Sequence, residues 1–134
     1  MSFGQAVASF FQNYVNFSGR APRSAYWWVF LFNVIVAVVA TILDQSLGMA
    51  YTMQGPSGPI SLGYGPIYTL YLLAVLIPSI ALAVRRLHDR DKSGWWFLLV
   101  IVPLVGAIIL VVWFALPGTA GNNRFGPDPL AKSA

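Results

Sequence analysis

Apolar residues gather in three uninterrupted blocks, Ala25–Leu43, Leu62–Val84 and Gly94–Leu116, none of which contains Asp, Glu, Lys, Arg or His. Each is long enough for the roughly 20-residue helix that a hydrocarbon core about 30 Å thick requires. The blocks are apolar on every side, whereas a membrane β-strand alternates in polarity over about 10 residues. The pattern therefore predicts helices that close their own backbone hydrogen bonds in lipid. We expect an all-α, polytopic membrane bundle forming one domain over residues 1–134, with spans at 25–43, 62–84 and 94–116 and a tail at 117–134.

Before the first block, Phe3, Val7, Phe10, Phe11, Tyr14 and Val15 recur at three- and four-residue spacing. Residues 1–19 thus read as an interfacial amphipathic helix. Its polar side lacks Lys and Arg, which favours packing on the bundle over electrostatic docking to anionic lipid. The segment also lacks the basic start and long apolar run of a cleaved signal, so the amino terminus is expected to be retained. Inside the third block, Pro103-Leu104-Val105-Gly106 pairs two helix breakers. We expect a single kinked span, with a re-entrant hairpin as the alternative, because two arms of about ten residues would each fall short of crossing. Pro78 predicts a kink in the second span. Gly55-Pro56-Ser57-Gly58-Pro59 predicts turns in the 44–61 connection.

Composition confirms the class. Of the residues 57% are hydrophobic and 9% charged, against roughly one quarter charged in an ordinary globular chain. Charge placement predicts orientation. Arg20 and Arg23 precede the first span, Arg85, Arg86, Arg90 and Lys92 fill the expected loop between the second and third, and the 44–61 loop has neither Lys nor Arg. Basic flanks stay on the cytoplasmic side, so the amino terminus is expected there. Three crossings would leave the tail outside, but Arg124 and Lys132 against Asp128 leave the side of the carboxy terminus open.

Candidate chemistry is sparse. One His and no Cys leave no zinc or thiol site, no Gly-rich phosphate loop follows a strand, and no basic soluble domain points to nucleic acid. His88 and Asp89 are adjacent and cannot face each other on a helix, so we expect no enzyme, cofactor or metal. Asn33, Thr41, Thr69 and Ser79, the polar residues within the spans, fit interhelical hydrogen bonding better than an ion route.

Two span starts echo each other: Arg23-Ser24-Ala25-Tyr26-Trp27-Trp28 and Lys92-Ser93-Gly94-Trp95-Trp96. Serine can cap a helix and tryptophan suits the headgroup level, so Trp27, Trp28, Trp95 and Trp96 are expected interfacial anchors. Tyr64, Tyr68 and Tyr71, placed on one helix face by their spacing, are expected to anchor the opposite boundary. Phe17-Ser18-Gly19-Arg20, Arg85-Arg86-Leu87-His88-Asp89, Pro117-Gly118-Thr119 and Asn123-Arg124-Phe125-Gly126-Pro127-Asp128-Pro129, with the two tryptophan pairs, resemble the domain of unknown function 805 family. The resemblance covers nearly the whole chain. It implies a bacterial inner-membrane protein of a few helices and no particular reaction.

The expected role is therefore a non-enzymatic interaction or lipid-contacting protein. Its candidate binding residues are Arg20, Arg23, Arg85, Arg86, His88, Asp89, Arg90 and Arg124, on the cytoplasmic face. Anionic lipid, a membrane-protein partner or further copies of the chain are the expected partners. The alternative is an oligomeric pore for a small solute, lined by the tyrosine face. The turn-rich tail from Gly121 is expected to fold back and bring Arg124 near the interface.

Overall fold

A computed structural model describes residues 1–130, so Lys132 lies outside the described residues. Its elements are α1 (Phe3–Gln12), α2 (Arg23–Ser46), β1 (Thr52–Gly55), β2 (Gly58–Ser61), α3 (Pro66–Asp89), a 3₁₀ helix (Gly94–Ile101) and α4 (Val105–Ala115). The chain divides into two compact units: Phe30–Ile77, and Met1–Val29 together with the chain from Pro78 onward.

α2 and α3 are both long and apolar enough to cross a membrane. In the most apolar stretch of each, only 11% and 28% of residues are buried within the protein. Soluble core helices bury most of such a surface, so these present apolar side chains outward, as lipid-facing helices do.

In the 30–77 unit, the connection expected to hold only turns forms an antiparallel hairpin, with Thr52 opposite Ser61 and Gly55 opposite Gly58. Gly58 makes the reversal feasible, since its φ of 121° is closed to other residues. Asp44, fully buried, accepts hydrogen bonds from the backbone N–H of Gly65, Ile67 and Tyr68 at 2.8, 3.0 and 3.1 Å. A carboxylate from the end of α2 thereby satisfies the orphan donors at the start of α3. α3 consequently starts at Pro66 rather than Leu62, and Tyr64 precedes the helix instead of sharing a face with Tyr68 and Tyr71. Tyr64 packs between the rings of Tyr51 and Tyr68, with both centroids 5.5 Å away. Tyr71 donates its hydroxyl to Asn33.

In the other unit, α1 is shorter than the expected 1–19 helix. It opens with a capping box in which Ser2 Oγ accepts from the Gln5 N–H and Gln5 Oε1 from the Ser2 N–H. Ala6 and Phe10 face inward, whereas Phe3 and Phe11 remain exposed. Ala83, Leu87, Leu110 and Phe114 form the core, flanked by Tyr26, Trp27, Phe97, Leu99 and Trp113. α3 runs to Asp89, so Arg85, Arg86 and His88 stand on its last turns rather than in a loop.

The third apolar block is not the single kinked helix expected. The 3₁₀ helix ends at Ile101, and α4 starts at Val105. Between them Leu104 adopts φ 64° and ψ −60°, while the Val105 N–H bonds the Pro103 carbonyl at 2.7 Å. This is the rare, strained γ-turn of positive φ. Gly106 then lies so close to the Leu99 carbonyl that no Cβ would fit. The 8-residue arm is about 16 Å long at a 3₁₀ rise of about 2.0 Å, and the 11-residue arm about 17 Å at about 1.5 Å per residue. Each reaches about half of a 30 Å hydrocarbon core.

The reversal is testable by two substitutions of opposite sign. Gly106→Ala should destabilise the protein by about 2 kcal/mol through overpacking against a backbone carbonyl. Leu104→Gly should be neutral or stabilising by up to about 1 kcal/mol, since glycine accepts the positive φ. Thermal unfolding of the purified protein in detergent reads both; equal losses in the two variants would contradict this turn.

Candidate functional site

The end of α3 places Arg85, Arg86 and His88 where other parts of the chain return to it. At its centre is Asp89, whose two carboxylate oxygens are divided between two arginines. Arg20 Nε donates to Oδ1 at 2.9 Å, and Arg86 Nη1 donates to Oδ2 at 2.7 Å. All three side chains are almost fully buried, at 1% exposure for Arg20, 0% for Arg86 and 3% for Asp89. Helical geometry supplies one pairing directly, because Arg86 and Asp89 are three residues apart on α3. The other brings in a residue from before α2.

One carboxylate leaves two guanidinium groups with a surplus positive charge, and backbone carbonyls meet it. Arg20 also donates to the carbonyls of Thr119 at 2.6 Å and Gly121 at 2.7 Å. Arg86 donates to those of Phe114, at 3.1 Å, and Leu116. Neighbouring donors add to the same helix end: Trp27 Nε1 to Phe114 O at 3.1 Å, Arg23 to Ala115 O at 3.2 Å and Arg90 to Pro117 O at 2.7 Å. The carbonyls of Phe114, Ala115 and Leu116 at the negative end of the α4 dipole are thus capped by two arginines and a tryptophan, and Arg90 holds Pro117 just beyond the helix. Gly118 is obligatory there, since a Cβ would coincide with the Asp89 carboxylate. The Thr119 N–H bonds the Asp89 carbonyl at 2.7 Å and carries the tail across the end of α3.

Two further contacts close the cluster. Arg85 donates to the carbonyls of Asn13 and Asn16 at 3.1 and 2.7 Å, tying the end of α1 to α3. His88 Nδ1 lies 2.9 Å from the Gly19 carbonyl, and its ring stacks on Phe125 with centroids 4.0 Å apart. A carbonyl only accepts, so Nδ1 carries the proton. Asn123 donates to the His88 carbonyl at 2.9 Å. In the tail, the N–H groups of Leu130 and Gly121 hold the Asp128 carboxyl below its usual range.

Of the residues singled out in the sequence, the structure brings together Arg20, Arg23, Arg86, Asp89 and Arg90 around the end of α4, with Arg85 and His88 beside them. Arg124 is apart from the centre. It pairs at 3.3 Å with Asp91, their side chains 61% and 47% exposed. Of the tryptophans, Trp27 is a cap and Trp96 packs edge-on against Trp113, over whose ring Lys92 lies 4.5 Å away. Trp28 meets Phe3, and Trp95 is 79% exposed. Ser93 caps the 3₁₀ helix by accepting from the Trp95 N–H, whereas Ser24 lies within α2 and accepts from the amino terminus. Sequence reasoning missed Gly118, Thr119, Asn123 and Phe125 as parts of the cluster. Their one signal was membership of the ordered motifs after residue 116.

Two long helices with outward apolar surface, joined to a buried ion cluster, define a small helical membrane protein. The chain belongs to the family described as a protein of unknown function (DUF805), whose family model matches residues 14–127. It is 45% identical over 125 residues to the inner membrane protein YhaI of Escherichia coli K12, covering 93% of this chain and 95% of the relative. The inner membrane protein YhaH of the same strain is 43% identical over 118 residues, 88% of this chain and 90% of the relative. The uncharacterized protein YiiR of that strain is 27% identical over 139 residues, covering 84% and 85%. No solved structure matches the chain. These relatives and the two apolar helices support an inner-membrane location.

The two aspartate pairs should differ sharply in worth. Asp89→Asn leaves two buried guanidiniums without their counter-charge and should cost about 3–5 kcal/mol. Asp91→Asn, which breaks an exposed pair, should cost less than about 1 kcal/mol. Similar thermal shifts for the two variants in detergent would show that the cluster does not hold the fold.

Proposed function

We propose that this protein is a non-enzymatic, multi-pass inner-membrane protein that contacts anionic lipid at the end where its two termini gather. The observation that carries the proposal is the division of its basic residues. Arg20, Arg85 and Arg86 are buried and occupied by internal acceptors, while Lys92, Trp95 and the Arg124–Asp91 pair remain partly or largely exposed. The buried arginines act as frame, and the exposed cations and tryptophans face the headgroups. Asp89 fits no catalytic role, because both of its oxygens are held by arginines.

Orientation follows from the same cluster. Basic residues before α2 and at the end of α3 favour the cytoplasmic side, and the tail is bonded to Arg20 and Asp89 at that end. With α2 and α3 crossing and the 3₁₀–α4 hairpin turning back at partial depth, both termini are cytoplasmic. The competing pore reading draws less support, because Tyr64 precedes α3 and Tyr71 is committed to Asn33.

Two measurements test the proposal. A carboxy-terminal reporter should give a cytoplasmic signal; a periplasmic signal would reject the hairpin topology. Phosphatidylglycerol retained through detergent extraction should fall about thirtyfold in Lys92→Gln/Arg124→Gln, since each basic group near the surface contributes about 1 kcal/mol. Retention that ignores both the double variant and added salt would sink the lipid-contact reading.

A further inference from the structure

Arg85 is a buried cation that the Asp89 cluster does not neutralise. It is 4% exposed, yet it pairs with no carboxylate among the described residues. Its Nη1 donates to the carbonyls of Asn13 and Asn16, while Nε and Nη2 have no acceptor among the described residues. Unlike Arg90 Nε, these two nitrogens are not sealed inside the protein. They open on a cavity of about 190 Å³ that Arg85 and Arg20 line together with α1 and the 16–22 turn, and no carboxylate lines it. Arg20, Arg85 and Arg86 stand against Asp89 alone, so two positive charges at this end of α3 go uncompensated.

The cavity wall offers donors and withholds acceptors. Asn13 Oδ1 already accepts from Asn16 Nδ2, and Asn16 Oδ1 from the Ser18 N–H. The Gly19 carbonyl is taken by His88, and those of Asn13 and Asn16 by Arg85 itself. Ser9 Oγ accepts from Asn13 Nδ2 and keeps its own proton to donate. The Ser18 hydroxyl has no partner among the described residues and lines the same space. A neutral guest would leave the charge unanswered, whereas an oxyanion answers both the charge and the donors. Two nitrogens of one guanidinium form the planar fork that matches two oxygens of a phosphate group.

We propose that this cavity binds a phosphate-class oxyanion, held by the Arg85 fork and by the Ser9 and Ser18 hydroxyls. The site goes beyond the lipid-contact reading and does not rest on it. A second cavity of about 650 Å³ shares Ser9 and Arg20 and adds Gln5 and Gln12, which leaves room for a polar substituent on the bound group. The phosphate is supplied either as a free anion or as the headgroup of a phospholipid, and both present the same oxygens to Arg85.

The test uses the full chain in uncharged detergent, stripped of phospholipid, with inorganic phosphate binding read by equilibrium dialysis at fixed ionic strength. One phosphate should bind per chain, and acetate at the same concentration should compete poorly. Ser18→Ala, at an exposed position, should weaken binding about tenfold with thermal unfolding unchanged. Arg85→Lys, which keeps the charge and loses the fork, should weaken it further; if that variant does not fold, Ser9→Ala joins Ser18→Ala in deciding. A headgroup source gives a different pattern that also supports the site: little uptake of free phosphate, and phosphatidylglycerol retained through extraction that falls about tenfold in Ser18→Ala. Uptake and retention that both ignore the serine and Arg85 variants would overturn the proposal, as would phosphate displaced equally well by acetate. If retention then still falls in Lys92→Gln/Arg124→Gln, the oxyanion site alone fails and lipid contact stands.

Discussion

A carboxylate shared by two buried arginines is the constraint on which the Met1–Val29 and post-Pro78 unit depends. Removing three charged groups from water costs several kcal/mol per ion, and Coulomb attraction offsets this only where every donor finds an acceptor. Arg20 and Arg86 meet that condition because Asp89 supplies two oxygens and the chain around residues 114–126 supplies carbonyls. The acceptors come from segments far apart in sequence. Satisfying the charges and gathering the start of α2, the end of α3, the end of α4 and the tail are therefore one event. Lysine could not substitute at either position. A single ammonium lacks the planar fork that lets Arg86 bond the carboxylate and two carbonyls at once.

The hairpin in the third apolar block depends on the same cluster. An apolar helix of 11 residues is too short to cross and leaves orphan carbonyls at its carboxy end. In hydrocarbon those carbonyls would be costly, and the arginine caps hold them at the charged end of the unit instead. Pro103 removes a backbone donor, Leu104 makes the reversal, and Gly106 lets the returning arm pack on the Leu99 carbonyl. The strain at Leu104 is affordable because both arms are anchored: one by the Ser93 cap, the other by Arg23, Arg86 and Arg90.

The membrane class and the first two apolar helices were legible in the sequence, because uninterrupted apolar length is a one-dimensional signal. Helix ends were less so. α3 continues through Arg85, Arg86 and His88, where charge argued for a loop, since the partners of these residues lie far away in the chain. The turn-rich 44–61 segment gave no alternating pattern, and its hairpin owes much to Asp44 fixing the exit at Gly65. The breakers at Pro103 and Gly106 marked the right place but not the outcome. A kink and a reversal use the same residues, and what separates them is whether the far end finds caps. Gly118 illustrates the limit most clearly: its necessity comes from the Asp89 carboxylate 29 positions earlier in the chain.

Basic residues beside membrane helices are usually read as orientation signals, and here the same arginines are also the polar core. The two uses are compatible because they act at different stages. A guanidinium that disfavours translocation during insertion needs only its charge. Once the segments have assembled, the same group needs geometry. Lys92, over the Trp113 ring, and Arg124, in an exposed pair with Asp91, lie outside that polar core. A substitution at Arg86 would thus perturb stability first and any lipid contact only as a consequence, whereas one at Lys92 would reverse that order.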